Sequence, residues 1–253
     1  MKHPDPSPPE LRRTRAGDFI IHSEHRGTGP PVVLLHGLSG SRRWWRFTAP
    51  ALAARYTVHM PELVGFGGSR RPQRQPDMRE MAVVLAEWLA VLGIEAPRLV
   101  GHSMGGQIAL HLAAEHVEAE RLALVCATGL PRSWTVRRGA ELMAGALPPR
   151  AWGVPSFMPV IAADALRAGP RALLRAAYHL LSDDVRPLLP RIRCRTLVVW
   201  GELDPLVPMA HGRALADGIA GARFVVMRDA AHNPMADRPV EFNRLLLDFL
   251  DAP

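Results

Sequence analysis

Six short apolar runs, most of them β-branched, punctuate the chain at residues 32–35, 56–59, 98–100, 122–125, 196–200 and 224–226. Most of them show no polar alternation. That pattern belongs to strands covered on both faces, as in a parallel sheet. Helical patterns fill the gaps. Asp77 and Glu80 have the spacing of a capping box, and behind them Met81, Val84, Leu85, Trp88, Leu89 and Leu92 recur at intervals of three and four. Ile108, Leu112 and Ala113 repeat the pattern, and residues 241–250 close the chain with an amphipathic helix. Strand, helix, strand, repeated, predicts an α/β fold with a doubly wound, mostly parallel sheet. The 253 residues suit one such domain carrying an insertion.

The rhythm breaks between residues 129 and 191. Gly129, Pro131, Pro148, Pro149, Gly153, Pro155, Pro159, Gly169, Pro170, Pro187 and Pro190 interrupt helical fragments at 141–147 and 171–181, and no strand-like run intervenes. So long a stretch between two strands is expected to be functional. It reads as a helical cap, or lid, over 129–191, inserted between core segments 18–128 and 192–253. Residues 1–17, rich in Pro and Arg, read as a flexible N-terminal tail.

The net charge of +7 comes almost entirely from arginine, because Lys2 is the only lysine. The basic residues are scattered among the acids and are not interleaved with aromatics, which argues against nucleic-acid binding. Arg42, Arg43, Arg46, Arg70, Arg71 and Arg74 cluster in loops and are the candidates for a basic surface that attracts an anionic group. Cys126 ends one apolar run and Cys194 precedes another, which puts the thiols at opposite ends of a parallel sheet and disfavours a disulfide. No apolar run is long enough to span a bilayer and the first 18 residues lack a secretion-type apolar stretch, so a cytoplasmic, reduced setting is expected.

The chemistry concentrates where runs end. Gly101-His102-Ser103-Met104-Gly105-Gly106 follows a strand and opens a helical pattern. A sharp strand-to-helix turn exposes the serine hydroxyl, and small residues at Gly101 and Gly105 let neighbouring backbone approach. His36-Gly37-Leu38 follows the run at 32–35, and the N–H of Leu38 is placed to join that of Met104 as an oxyanion hole. Asp204, in Gly201-Glu202-Leu203-Asp204-Pro205, follows the run at 196–200, with Glu202 as the competing acid. His232 follows the run at 224–226. A hydroxyl, a carboxylate and an imidazole past three C-terminal strand ends, in that chain order, predict Ser103 as nucleophile, His232 as base and Asp204 as the acid that orients it.

With Pro61-Glu62-Leu63-Val64-Gly65-Phe66-Gly67-Gly68-Ser69, Val207-Pro208 and His232-Asn233-Pro234 added, residues 18–251 resemble the α/β-hydrolase superfamily, in its serine-nucleophile branch with a helical cap. The family more often has Asp where Glu62 stands and Gly where Ala231 stands. The resemblance implies a hydrolase that forms an acyl-enzyme. The first expectation is cleavage of a small, largely apolar carboxylic ester. Thioester, lactone and carbon–carbon bond hydrolysis are alternatives on the same triad, and a ligand receptor on a hydrolase scaffold is the alternative of another class. Related dehalogenases and epoxide hydrolases need a carboxylate where Ser103 stands. Trp134, Met143, Trp152, Phe157 and Met158 of the cap are the candidate pocket residues. No metal or other cofactor is implied. His102, His111 and His116 fit a helix start and helix faces, and residues 65–68 lack the Lys-Ser/Thr of a phosphate loop. The expected partner is a small ester-like molecule, without nucleic acid or membrane span.

Overall fold

The computed structural model describes residues 8–70, 72, 74–131 and 155–252. Eight strands form one sheet in the order β1-β2-β4-β3-β5-β6-β7-β8. They are β1 (Glu10–Ala16), β2 (Phe19–Arg26), β3 (Pro31–Leu35), β4 (Thr57–Pro61), β5 (Arg98–His102), β6 (Arg121–Val125), β7 (Arg195–Gly201) and β8 (Arg223–Met227). β1 and β2 pair antiparallel, as do β2 and β4; every later pairing is parallel. The helices are α1 (Ala49–Leu52), α2 (Met78–Val91), α3 (Met104–Glu115), α4 (Met158–Ser182), α5 (Met209–Gly218), α6 (Pro234–Asp237) and α7 (Pro239–Asp251). Among the described residues, no helix is long and apolar enough to cross a membrane.

The six apolar runs are β3 to β8 in chain order. Side chains alternate between two cores, as a pleated sheet covered on both faces requires. Val33, Leu35, Leu99, Leu122, Leu124, Val198 and Trp200 pack with residues of α2, α3 and α5 on one face. Val32, Leu34, Val58, Val100, Ala123, Val125, Leu197 and Val199 pack with residues of α1 and α7 on the other. At α2, Asp77 accepts the Glu80 N–H at 2.8 Å and Glu80 accepts the Asp77 N–H, so both halves of the capping box form.

The N-terminal expectation needs correction. Residues 10–16 are not a flexible tail but edge strand β1, in register with β2 from Glu10–His25 to Ala16–Phe19. Its inward residues are the small Thr14 and Ala16, while Arg12, Arg13 and Arg15 sit on the exposed positions. Charge on an edge strand discourages pairing with other chains, and in the sequence it hides the strand.

Between β6 and β7 the described chain carries helices at 155–182 and 186–191 and no strand. α4 is broken at Gly169 (φ 78°, ψ 161°) followed by Pro170, the breaker pair visible in the sequence. Asp164 on α4 is buried, accepts the Ser41 hydroxyl at 2.7 Å and pairs with Arg43, which fixes α4 to the loop after β3. At the far end, Asp183 accepts from the Gln107 amide at 2.6 Å and the His111 ring at 2.8 Å, both on α3. His111 also faces Glu115, which Arg79 and Arg191 approach. Burial alone would depress His111, but the Asp183 and Glu115 carboxylates outweigh it and raise its pKa above the ordinary histidine value. Burial likewise opposes ionisation of Asp183, yet His111 and Gln107 hold its pKa below the ordinary carboxylate value.

Two outcomes are expected. Asp77→Ala removes one N-cap acceptor and should cost about 1 kcal/mol in denaturant unfolding. The Asp183–His111 pair has a signed pH dependence. Its carboxylate contribution is lost as pH falls through the lowered Asp183 pKa, and its imidazolium contribution is lost as pH rises through the raised His111 pKa. Thermal unfolding should therefore show the wild type's margin over His111→Gln shrinking as pH rises above the ordinary histidine range.

Candidate active site

Ser103 stands between β5 and α3 with φ 52° and ψ −118°. This is a region that a residue with a Cβ enters only when its surroundings force it, at a cost of about 1–3 kcal/mol. The surroundings are backbone. A Cβ on Gly101 would lie 2.5 Å from the Gly105 carbonyl, and one on Gly105 would lie 2.4 Å from the Leu35 carbonyl. The turn is held by Ser103 N–H donating to the Val125 carbonyl at 2.9 Å, and by Gly106 and Gln107 N–H groups donating back to the Ser103 carbonyl. Ser103 is buried to 7% exposure at the C-terminal edge of the sheet.

The loop after β3 lies against this turn. A Cβ on Gly37 would come within 3.1 Å of the Ser103 Cβ. His36 fixes that loop: its Nδ1–H donates to the Gly37 carbonyl at 2.8 Å and its Nε2 accepts the Leu63 N–H at 3.0 Å. Full burial pushes the His36 pKa down, in keeping with a neutral ring that donates from one nitrogen and accepts at the other. Leu38 thus follows a residue packed on Ser103, and Met104 is the first residue of α3, where the amides lack intrahelical partners.

Asp204 and His232 meet. His232 Nδ1 and Asp204 Oδ2 lie 2.9 Å apart, with side-chain exposures of 7% and 1%. Asp204 Oδ1 accepts the Leu206 and Val207 N–H groups at 2.9 and 3.0 Å. Burial opposes ionisation of Asp204, but His232 and these two amides hold its pKa below the ordinary carboxylate value. A carboxylate only accepts, so the proton in this bond is on His232 Nδ1, and Nε2 is left as an acceptor. Glu202, the competing acid, is exposed and accepts only from the Asp229 N–H, at 3.4 Å.

One residue that the sequence reading took as a plain helix start is part of the assembly. His102 Nε2–H donates to the His232 backbone carbonyl at 2.8 Å, and the two rings lie 4.9 Å apart. Burial pushes the His102 pKa down to about 3, so it is a neutral donor at any working pH. The bond ties the Ser103 turn to the His232 loop across 130 residues of chain. Its only sequence signal is a histidine immediately before the serine.

Cys126, after β6, completes a close group: its Sγ, a carboxylate oxygen of Asp204 and a ring nitrogen of His232 lie within 4.8 Å of one another. The set does not read as a metal centre. Asp204 and His232 bond each other, and burial, with Asp204 beside it, pushes the Cys126 thiol well above its ordinary pKa. Both cysteines are free.

Of the pocket candidates, Trp134, Met143 and Trp152 lie outside the described residues. Phe157 is fully buried. It packs edge-on against Trp44 at 5.9 Å and under the Arg46 guanidinium, so it anchors the segment before α4 to the core and does not line an open pocket. Met158 is half-buried at the start of α4. Four of the loop arginines are engaged internally, Arg42 by Glu24 and Glu62, Arg43 by Asp164, Arg46 by Phe47 and Phe157, and Arg74 by Glu80, while Arg70 is exposed and Arg71 lies outside the described residues.

Gly105→Ala places a methyl group against the Leu35 carbonyl. Overpacking of this kind costs about 1–3 kcal/mol, and a correspondingly lowered thermal midpoint is expected. An unchanged midpoint would mean that the turn relaxes freely.

The sequence and the fold have known relatives. Residues 32–245 match the model of the alpha/beta hydrolase family. A 2-hydroxy-6-oxo-6-phenylhexa-2,4-dienoate hydrolase of Comamonas testosteroni is 30% identical over 269 residues, covering 92% of each chain. A putative carbamate hydrolase of Azorhizobium caulinodans is 31% identical over 255 residues, covering 92% of this chain and 96% of the relative. The structure of a thermophilic esterase from Thermogutta terrifontis superposes with a TM-score of 0.82 at 27% identity, covering 95% of this chain and 98% of that one. The sheet order, the strained serine turn and the sequence match together make this chain a member of the alpha/beta hydrolase family.

Proposed function

We propose that this protein is a serine hydrolase that cleaves a small, largely apolar carboxylic ester, with Ser103 as nucleophile, His232 as general base and Asp204 as the orienting acid. The observation that carries the proposal is the His232–Asp204 bond. It commits Nδ1 to the carboxylate and leaves Nε2 as the basic nitrogen, on a loop that His102 ties to the strand-to-helix turn holding Ser103.

In the proposed cycle, Ser103 Oγ attacks the ester carbonyl as its proton passes to His232 Nε2. Asp204 stabilises the imidazolium that results. The N–H groups of Leu38 and Met104 receive the oxyanion, and loss of one such donor typically costs about 100- to 1,000-fold in rate. His232 then gives its proton to the leaving alkoxide. Water, deprotonated by His232, attacks the acyl-enzyme and frees Ser103. His102 serves as a positioning residue through the His232 carbonyl.

A second reading has support of its own. The relative from Comamonas testosteroni is named for a dienoate hydrolase, so carbon–carbon bond hydrolysis by the same three residues is the alternative to ester hydrolysis. Lactone and thioester cleavage call for the same groups.

A panel of nitrophenyl esters of increasing acyl length, beside a thioester, a lactone and a vinylogous diketone acid, discriminates these readings. Turnover of short and medium esters is expected, and Ser103→Ala should lower it by several orders of magnitude, about 10⁶-fold in a worked hydrolase case. Near-normal ester turnover by Ser103→Ala would overturn the assignment. Turnover of the diketone acid alone would transfer the proposal to carbon–carbon cleavage. In the same assay, His102→Leu should lower kcat with little change in KM, because it disturbs the base and not substrate binding.

A further inference from the structure

The sheet edge remote from Ser103 carries a line of arginines. Arg98, Arg121 and Arg195 are the first residues of β5, β6 and β7. The ladder pairs Arg98 with Arg121 and Arg121 with Arg195, so their side chains leave the same face of the sheet. Like charges directly opposite one another repel, and a fold keeps such a row only where something offsets it.

At Arg98 and Arg121 the offset supplied by the described residues is incomplete. Arg98 pairs with Glu120 at 2.6 Å and lies over the Tyr56 ring, but its Nε is buried without a hydrogen-bond partner. Arg121 is 6% exposed. It donates through Nη2 to the Ala252 carbonyl and lies over the Phe249 ring, yet it has no carboxylate partner among the described residues, and its Nε is also buried and unpartnered. Asp251, the other acid lining the cleft among the described residues, is engaged by Arg55 and by the Tyr56 hydroxyl. A cleft of about 410 Å³ opens here, lined by Arg55, Tyr56, Arg98, Glu120, Arg121 and Asp251 among others.

We propose that this cleft is a second ligand site, distinct from the Ser103 centre, and that it takes a phosphate group, either free or as a monoester. Guanidinium groups offer paired N–H donors that match the oxygens of such an ion. Arg121 is the guanidinium without a carboxylate among the described residues, and Arg98 and Arg55, though paired with Glu120 and Asp251, bring further N–H donors from a neighbouring strand and a loop; donors converging from three directions suit a tetrahedral oxyanion better than a planar monocarboxylate, which one guanidinium already satisfies. The site is separate from the reacting serine. Five residues of strand from Arg98 to Ser103 span roughly 16 Å. A bound phosphate therefore places its charge beside Arg121 without entering the chemistry.

Isothermal titration of the full chain with inorganic phosphate, at fixed ionic strength and against chloride and acetate, tests this. One saturable site is expected for phosphate and none for the controls. Binding should weaken at least tenfold in Arg121→Gln and Arg98→Gln. It should persist in Ser103→Ala and in Arg79→Gln, which lies elsewhere on the surface. Ester turnover of Arg121→Gln should match wild type. Phenyl phosphate binding more tightly than phosphate would assign the site to a monoester, and equal or weaker binding would assign it to the free ion. If the buried arginine variants fail to fold, Arg55→Gln at the exposed mouth should still weaken binding several-fold. A phosphate titration indistinguishable from chloride, or unaltered binding in the folded arginine variants, overturns the proposal, and neither result bears on the role of Ser103.

Discussion

The backbone of Ser103 is the constraint around which the molecule is arranged. A φ of 52° at a non-glycine residue persists only if the neighbouring structure leaves no other conformation open. Here the neighbours are three strands deep. Val125 at the end of β6 accepts the Ser103 N–H, and Leu35 at the end of β3 crowds Gly105. The parallel register of β3, β5 and β6 therefore sets the turn, and the two apolar cores hold that register. Strain at the site is balanced by burial elsewhere, which is how a marginally stable fold retains a costly local geometry.

From that turn the other groups follow by short, directional bonds. Leu203 N–H donates to the Ala230 carbonyl and Glu202 N–H to the Met227 carbonyl, which bring the loop after β7 against the loop after β8. Asp204 and His232 meet across that seam, and His102 closes the circuit back to the serine turn. Asp204 is well placed because its charge is satisfied three ways, by one ring and two amides. Glu202, two residues earlier, is exposed, and one amide 3.4 Å away is a weak hold on its carboxylate.

The apolar runs made the sheet legible, because two-sided burial erases polar alternation and leaves a signal that few other structures share. The serine turn was legible because its glycines answer to steric contacts that chemistry dictates. What escaped was whatever depended on partners distant in sequence. β1 is an arginine-rich edge whose inward residues are small, and it looks like a tail until His25, Ile21 and Phe19 are found opposite it. His102 looked like an ordinary helix start because its acceptor lies 130 residues away. Phe157 suggested a pocket, since an aromatic in an inserted segment reads the same whether it faces a ligand or Trp44. The alignment of Arg98 with Arg121 exists only once the ladder is known.

The proposed convergence of three side chains with two backbone amides is measured most directly by a crystal structure of the protein inactivated by a phosphonate ester. The expected result is phosphorus bonded to Ser103 Oγ, the phosphoryl oxygen within hydrogen-bonding distance of the Leu38 and Met104 N–H groups, and His232 Nε2 facing the Ser103 oxygen with Asp204 still bound to Nδ1. A phosphonate carried by another residue, or an adduct on Ser103 with His232 turned away and the two amides unoccupied, would contradict it.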